Sequence, residues 1–317
     1  MKLGTNDIGS VYLGTNAVQK VYLGTNEVWS SFSSGLLDTY TGAAAAYSLR
    51  RLSISYTDNA IRVRRASDNT EQDIGFSGEN LDIASLQSFC SGTDGFVTTW
   101  YDQSGNAKDA TQTTAVNQPK IVSSGSVILK NSKPEILFNT KYLTIGSSTS
   151  YFNNFTFDKT AGFAICHRDD SGGYKAIIGS NNGLAGNIGF QMATSPNYAL
   201  NDYTTSGTAE ISFNQTSNNA IINNTLFLYA ILWDLQNATT SNRSSIYINN
   251  GSAIKNNTST ATPSNANASY DLSIGSVLPT GNGVFNGGIS EIILYPSDQT
   301  TNRIGISSNI NSFYSIY

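Results

Sequence analysis

Asp102 and Asp109 stand on either side of a Gly-Asn turn in Trp100-Tyr-Asp-Gln-Ser-Gly-Asn-Ala-Lys-Asp109. Two carboxyl groups held close together can divide a proton transfer, one acting as acid and the other as base or nucleophile. For Asp102 the local pattern reads differently. An Asp at the head of such a turn accepts the backbone N–H of Ser104 or Gly105 and fixes the turn. His167 with Asp169 and Asp170 is a second group of proton carriers, although Arg168-Asp-Asp-Ser-Gly-Gly173 reads more simply as a hairpin turn. The same Asp pair offers hard oxygens of the kind calcium takes. Glu291 shares a strand face with Ile289 and Ile293, which puts it in a groove, in water or in an internal pair.

Elements that would position these groups follow from composition. Charged residues are 13% of the 317, against about 25% in ordinary soluble domains. The polar surface is therefore mostly Ser, Thr, Asn and Gly, which disfavour long helices and suit strands joined by tight turns. Seventeen Tyr and fourteen Phe supply strand-forming bulk. The net charge of −4 and pI near 5.0 exclude a nucleic-acid partner, which needs a basic face. Arg50, Arg51, Arg62, Arg64 and Arg65 alternate with acids and are expected to pair with Asp58, Asp68, Glu71 and Asp73. Cys90 and Cys166 are either one bridge or two buried thiols, and His167 stands alone, which excludes a multi-histidine zinc site. No apolar run is long enough for membrane insertion, and Met1 to Asn6 lacks the core of a secretory leader.

Leu3-Gly-Thr-Asn6 recurs as Leu13-Gly-Thr-Asn16 and Leu23-Gly-Thr-Asn26, a ten-residue repeat over residues 1–30. Each unit reads as strand, Gly-Thr-Asn turn, strand. A unit this small must bury its apolar side chains, Leu3, Tyr12, Leu13, Tyr22, Leu23 and Trp29, against neighbours or another chain. Residues 31–134 then hold two expected helices. One is Ala43–Leu52, from its four alanines; the other is Asp82–Cys90, with Leu86 and Phe89 on one side. From about Phe96 onward the chain reads as strands: 126–129, 135–138, 162–166, 175–178, 225–233, 245–248 and 289–295. A polar segment, Ser297 to Ile310, leads to a closing run from Phe313 to Tyr317. The expected fold is all-β, a two-sheet sandwich, with 31–317 one folding unit.

Ile246-Tyr-Ile-Asn-Asn-Gly251, Leu272-Ser-Ile-Gly275 and Phe285-Asn-Gly-Gly-Ile-Ser-Glu-Ile-Ile-Leu-Tyr-Pro296, in that order, resemble the concanavalin A-like (laminin-G-like) jelly roll over residues 135–317. Tyr47-Ser-Leu-Arg-Arg-Leu52, Ile61-Arg-Val-Arg-Arg-Ala-Ser-Asp-Asn-Thr-Glu-Gln-Asp-Ile-Gly-Phe76 and Val97-Thr-Thr-Trp-Tyr-Asp-Gln-Ser-Gly-Asn106 resemble the catalytic domain of the α-L-arabinofuranosidase B family. Such domains also occur in proteins of bacteriophages and prophages. The resemblance implies a nucleophile Glu on the strand after Ala176–Asn181 and an acid Asp in the loop Ser273–Gly281. No Asp or Glu lies between Asp170 and Asp202 or between Asp271 and Glu291, and Val277 or a neighbour takes the acid's place. The family's adjacent cysteines are replaced by Cys166-His167.

These absences lead to the expectation of a non-enzymatic bacteriophage virion protein of fibre, tail or head surface, with no catalytic residues and no cofactor. On this reading it assembles in the host cytoplasm, residues 1–30 anchor it to other virion proteins, and the chain is a homotrimer that binds host-surface carbohydrate. Sugar binding needs an exposed ring and amide groups, for which the loops offer Tyr174, Asn181, Asn182, Asn187 and Tyr198, with Tyr203 beside them. One alternative is a glycoside hydrolase on arabinose-containing polysaccharide using other carboxylates. Another is an architectural protein without ligand.

Overall fold

The structure, a computed structural model, describes residues 34–181, 186–207 and 209–317, together with the backbone of short strands within residues 1–30. Those strands form three separate hairpins: Lys2–Leu3 with Asn6–Asp7, Val11–Leu13 with Asn16–Val18, and Lys20–Leu23 with Asn26–Ser30. The side chains expected to anchor the repeat, Leu3, Tyr12, Leu13, Tyr22, Leu23 and Trp29, lie outside the described residues.

The rest is a two-sheet jelly-roll sandwich. Its principal strands are β1 (Ala45–Ser48), β2 (Ile61–Arg65), β3 (Gly95–Trp100), β4 (Lys159–Arg168), β5 (Lys175–Gly179), β6 (Ile188–Ser195), β7 (Ala199–Ser206), β8 (Glu210–Gln215), β9 (Phe227–Asp234), β10 (Ser244–Ile248), β11 (Leu272–Ile274) and β12 (Gly287–Tyr295). One sheet runs β10-β9-β4-β12-β1, antiparallel throughout. In the other, β11-β5-β6-β7-β8 continues through Leu143–Ile145 and Ala110–Thr111 to β3 and β2.

Period-two alternation divides the side chains between layers. On β9, Phe227, Tyr229, Ile231 and Trp233 enter the core between the sheets. Leu228, Ala230 and Leu232 face a second core. There helices α1 (Leu36–Thr39) and α3 (Arg303–Tyr314) cover the outer side of the first sheet.

The predicted helix over Ala43–Leu52 is corrected. Residues 45–48 are strand β1, paired with β12 from Ala45↔Leu294 to Ser48↔Glu291. Ala45 and Tyr47 enter one core and Ala46 the other, so small side chains serve a strand buried on both faces, and tertiary pairing overrides alanine's helix preference. The predicted helix at 82–90 is present as α2 (Ile83–Phe89), capped by Asp82, whose carboxylate accepts the Ser85 N–H at 3.0 Å. The polar segment after Ser297 is also corrected. Most of it is α3, in which Ile306, Ile310 and Tyr314 recur every fourth position and are buried.

Candidate active-site cleft

Strands β2 and β3 pair with Ile61 opposite Trp100. That register sets the segment before β2 beside the segment after β3, and the two enclose a cleft of about 690 Å³. Ser53, Ser55, Tyr56, Asp58 and Asn59 line one side, and Tyr101, Asp102, Gln103, Ser104 and Asp109 the other. Asp58, Asp102 and Asp109 thus converge on one space.

Their environments differ. Asp102 is buried and accepts four donors: Ala46 N–H at 2.8 Å and Ser104 N–H at 2.9 Å on Oδ1, Ser104 Oγ–H at 2.7 Å and Lys108 N–H at 3.1 Å on Oδ2. It is the expected turn-former, and it also ties the loop to β1. Asp109 accepts the Asp102 N–H at 2.9 Å. Burial raises the Asp109 pKa above the usual carboxylate value, and the charges of Asp102 and Asp58 add to the rise. Asp58 is exposed in the cleft. Tyr56 donates to the Asn59 carbonyl at 2.8 Å and Tyr101 to Asp73 at 2.7 Å. Burial, followed by nearby carboxylates, pushes both phenols up, Tyr101 to about 12, so they stay neutral. The site therefore offers two carboxyl groups of unlike surroundings beside two aromatic rings.

Arg62 and Arg65 pair with the acids expected, whereas Arg50 turns to Glu291, Arg51 donates to the Ser53 carbonyl and Arg64 donates to Gln118 and Asn69. Arg62 meets Glu71 at 2.7 Å and Asp73 at 2.9 Å, Arg65 meets Asp68 at 2.6 Å, and Arg50 meets Glu291 at 2.8 Å. His167 lies between Glu135 at 3.0 Å and Asp169 at 3.2 Å, while Asp170 turns to Arg168. Among the described residues no three His, Cys, Asp or Glu side chains gather as a metal site. Cys90 and Cys166 are both buried thiols.

The predicted sugar-binding residues scatter. Tyr174 is exposed and lines a second pocket. Asn181 is fully buried, donating to Thr205 Oγ1 at 2.6 Å. Asn187 receives the Thr205 hydroxyl on its carbonyl. Tyr198 packs on the core with the Arg168 guanidinium 6.0 Å from its ring. Asn182 lies outside the described residues. The two segments to which the resemblance assigns hydrolysis do meet, since Gln191 of β6 and Val277 line that same second pocket. Sequence reasoning missed Asp58 and the tyrosines of the cleft, whose convergence depends on long-range strand pairing.

Residues 37–181 match the family "Alpha-L-arabinofuranosidase B, catalytic". The matched stretch is a little under half of the chain and contains the whole acidic cleft. Among curated proteins none matches. An arabinofuranosidase solved with arabinofuranosyl-α-1,2-xylobiose superposes with a TM-score of 0.60 at 18% identity, over 87% of this chain and 64% of that one. A GH54 α-L-arabinofuranosidase solved with a cyclic sulfate inhibitor gives 0.59 at 18%, with the same coverage. The chain thus spans 64% of the length of these relatives, and at such identity the likeness is one of fold.

These matches overturn the expectation of a non-enzymatic virion component, fibre or tail, with host attachment as its role. The family matched and the proteins sharing the fold are glycoside hydrolases. Two carboxylates are missing from the segments that the resemblance names, yet acids on other segments converge. Among the described residues no helix is long and apolar enough to cross a membrane.

Proposed function

We propose that the chain is a glycoside hydrolase acting on arabinofuranosyl groups of arabinose-containing polysaccharide, through carboxylates other than those the family resemblance assigns. The observation that supports this most directly is that Asp58 and Asp109 open on one cleft within the stretch matching the arabinofuranosidase family. Hydrolysis of a glycosidic bond uses one carboxyl group that still carries its proton and one that is ionised, and unlike environments create that division. Asp109 holds its proton above the usual carboxylate range and donates it to the leaving oxygen. Asp58 faces the positive charge that develops at the anomeric carbon as the glycosidic bond breaks, water adds to that carbon, and the proton it releases restores Asp109. Tyr56 and Tyr101 offer ring faces to the sugar, and Asp102 positions the Asp109 loop without taking part.

The test compares two substrates. A 4-nitrophenolate leaves with little help from an acid, whereas the sugar alkoxide of arabinofuranosyl-α-1,2-xylobiose needs protonation. Asp109→Asn is expected to lower kcat on the oligosaccharide by about 10²–10⁴ and to affect 4-nitrophenyl α-L-arabinofuranoside far less. Asp58→Asn is expected to depress both. Failure of the unsubstituted chain to release arabinose or nitrophenol from either substrate ends this reading.

A further inference from the structure

His167 is the one histidine of the chain, and it is buried at the end of β4. A carboxylate oxygen stands at each of its ring nitrogens: Glu135 Oε2 lies 3.0 Å from Nδ1, and Asp169 Oδ1 lies 3.2 Å from Nε2. Strand pairing makes this arrangement. Both β4 and the short strand Ile136–Leu137 pair with β12, and His167 and Leu137 flank Gly288 from opposite sides. Glu135, two residues before Leu137, reaches His167 across that glycine. A Cβ at Gly288 would lie 2.3 Å from Glu135 Oε2 and 2.7 Å from His167 Cε1, so the glycine leaves the room that the pair fills.

A neutral imidazole donates through one nitrogen and presents a lone pair at the other. Between two carboxylates, the neutral ring satisfies one and repels the other. The imidazolium is attracted to both. Neighbouring charged groups do not undo this. Arg168, next in the chain, is taken up by Asp170 at 3.0 Å. Burial, followed by the Glu135 charge, pushes the Cys166 thiol up, so it stays neutral. From β12 the ring meets glycines 287 and 288, and Pro134 and Ile136 flank Glu135.

Asp169 opens the hairpin 169–173, which leads to Tyr174 in the wall of the second pocket. The Asn286 carbonyl accepts the Asp169 N–H at 3.0 Å, and the Ser171 carbonyl accepts the Asn197 N–H at 3.0 Å. Arg168 donates to the carbonyls of Gly172 and Gly173 at 2.7 and 3.1 Å. These ties do not depend on His167, whereas the Asp169 carboxylate is held against its ring.

We propose that His167 is a proton-operated latch on this hairpin. With both nitrogens protonated, the ring ties Asp169 to the buried Glu135. Loss of one proton sets a lone pair against Asp169 and loosens residues 169–174. The latch is closed at low pH and opens as pH rises through the titration of the ring, whatever the acidic cleft does.

The experiment follows the single Cε1–H resonance of the full chain by NMR through a pH titration, which reports this ring alone. The proton affinity of the ring is expected to fall about tenfold in Glu135→Gln and about threefold or more in Asp169→Asn, whose carboxylate is partly exposed. Amide hydrogen exchange across 169–174, corrected for the intrinsic effect of pH, is expected to quicken above the midpoint in the unsubstituted chain. In Asp169→Asn it should be fast at every pH. Asp169 lies at the surface, so this variant decides the question even if Glu135→Gln does not fold. A midpoint that ignores Asp169→Asn, or hairpin exchange that takes no notice of the charge on the ring, overturns the proposal.

Discussion

Arg50 and Glu291, 241 positions apart in sequence, form a two-pronged ion pair inside the molecule, Nε to Oε2 at 2.8 Å and Nη2 to Oε1 at 3.1 Å. They are 2% and 1% exposed. The Ser48 hydroxyl donates to Glu291 at 2.7 Å, the Tyr314 hydroxyl at 3.3 Å, and Arg50 also donates to Asn309 at 2.9 Å. One acidic side chain therefore joins β1, β12 and α3. Removing one partner strands a buried charge, so Arg50→Met alone is expected to cost about 3–5 kcal/mol in urea unfolding. Arg50→Met with Glu291→Leu should recover much of that loss. A double variant as unstable as the single one would show that shape, not charge, is what this pair supplies.

A second prediction concerns Asp202, buried between the sheets, where it accepts the Ser212 hydroxyl at 2.8 Å, the Trp233 indole N–H at 3.1 Å and the Ser244 hydroxyl at 3.1 Å. Burial outweighs these bonds and raises its pKa from 3.8 to about 6. Between those values the folded chain binds more protons here than the unfolded chain, so this group's contribution to stability falls as pH rises. The contribution is full below the unfolded value, declines through the folded one and is then constant. Asp202→Asn should remove the decline. Unfolding free energies of the two proteins, differenced at pH 4, 5, 6 and 7, should diverge over that window by on the order of 3 kcal/mol; parallel curves would refute the assignment.

Asp58 and Asp109 are expected to be electrostatically coupled. Because the Asp58 charge helps raise the Asp109 pKa, after burial and Asp102, Asp58→Asn should lower the Asp109 titration midpoint. Carboxyl-carbon NMR reads this directly and does not depend on turnover. An unmoved midpoint would mean that solvent screens the two groups from each other.

Gly275 follows β11 with a φ of +79°, and a Cβ there would lie 2.2 Å from the Phe138 ring and 2.8 Å from the Lys141 carbonyl. Strain and overpacking act together, so Gly275→Ala should destabilise the fold by about 1–3 kcal/mol. Gly42, with φ +82° but open space around it, serves as the control that isolates backbone strain. Equal losses at both positions would show that packing contributes nothing at Gly275.

Local signals were the legible part of this chain. Asp82 ahead of Leu86 and Phe89 marked α2, and short apolar runs marked β4, β9 and β12. The Asp102 turn was also readable, because its bond to Ser104 spans only two residues. What failed depended on distant pairing. The alanines of β1 carry a helical preference, and only the ladder to β12 makes them a strand. The four-residue recurrence of Ile306, Ile310 and Tyr314 was present in the sequence, but the surrounding Ser and Asn masked it. Asp58 and Asp109 could not be joined by inspection, since it is the register of β2 on β3 that brings their segments together. Among the described sugar-ligand candidates, Tyr174 and Tyr203 open on the second pocket while Asn181 is buried, because Asn is equally a turn and core residue in such a chain.

Strand β9 supplies alternate side chains to two separate cores, which makes it a ruler as well as a wall. Most misalignments of a strand with one wet face expose a single apolar row. Here a slip of one residue against β4 would drive Trp233 and Tyr229 among the helices and leave Leu228 and Leu232 in a space shaped for rings. Both layers would misfit at once, so each core proofreads the other against a one-residue slip and holds the register that sets Phe163 opposite Ala230.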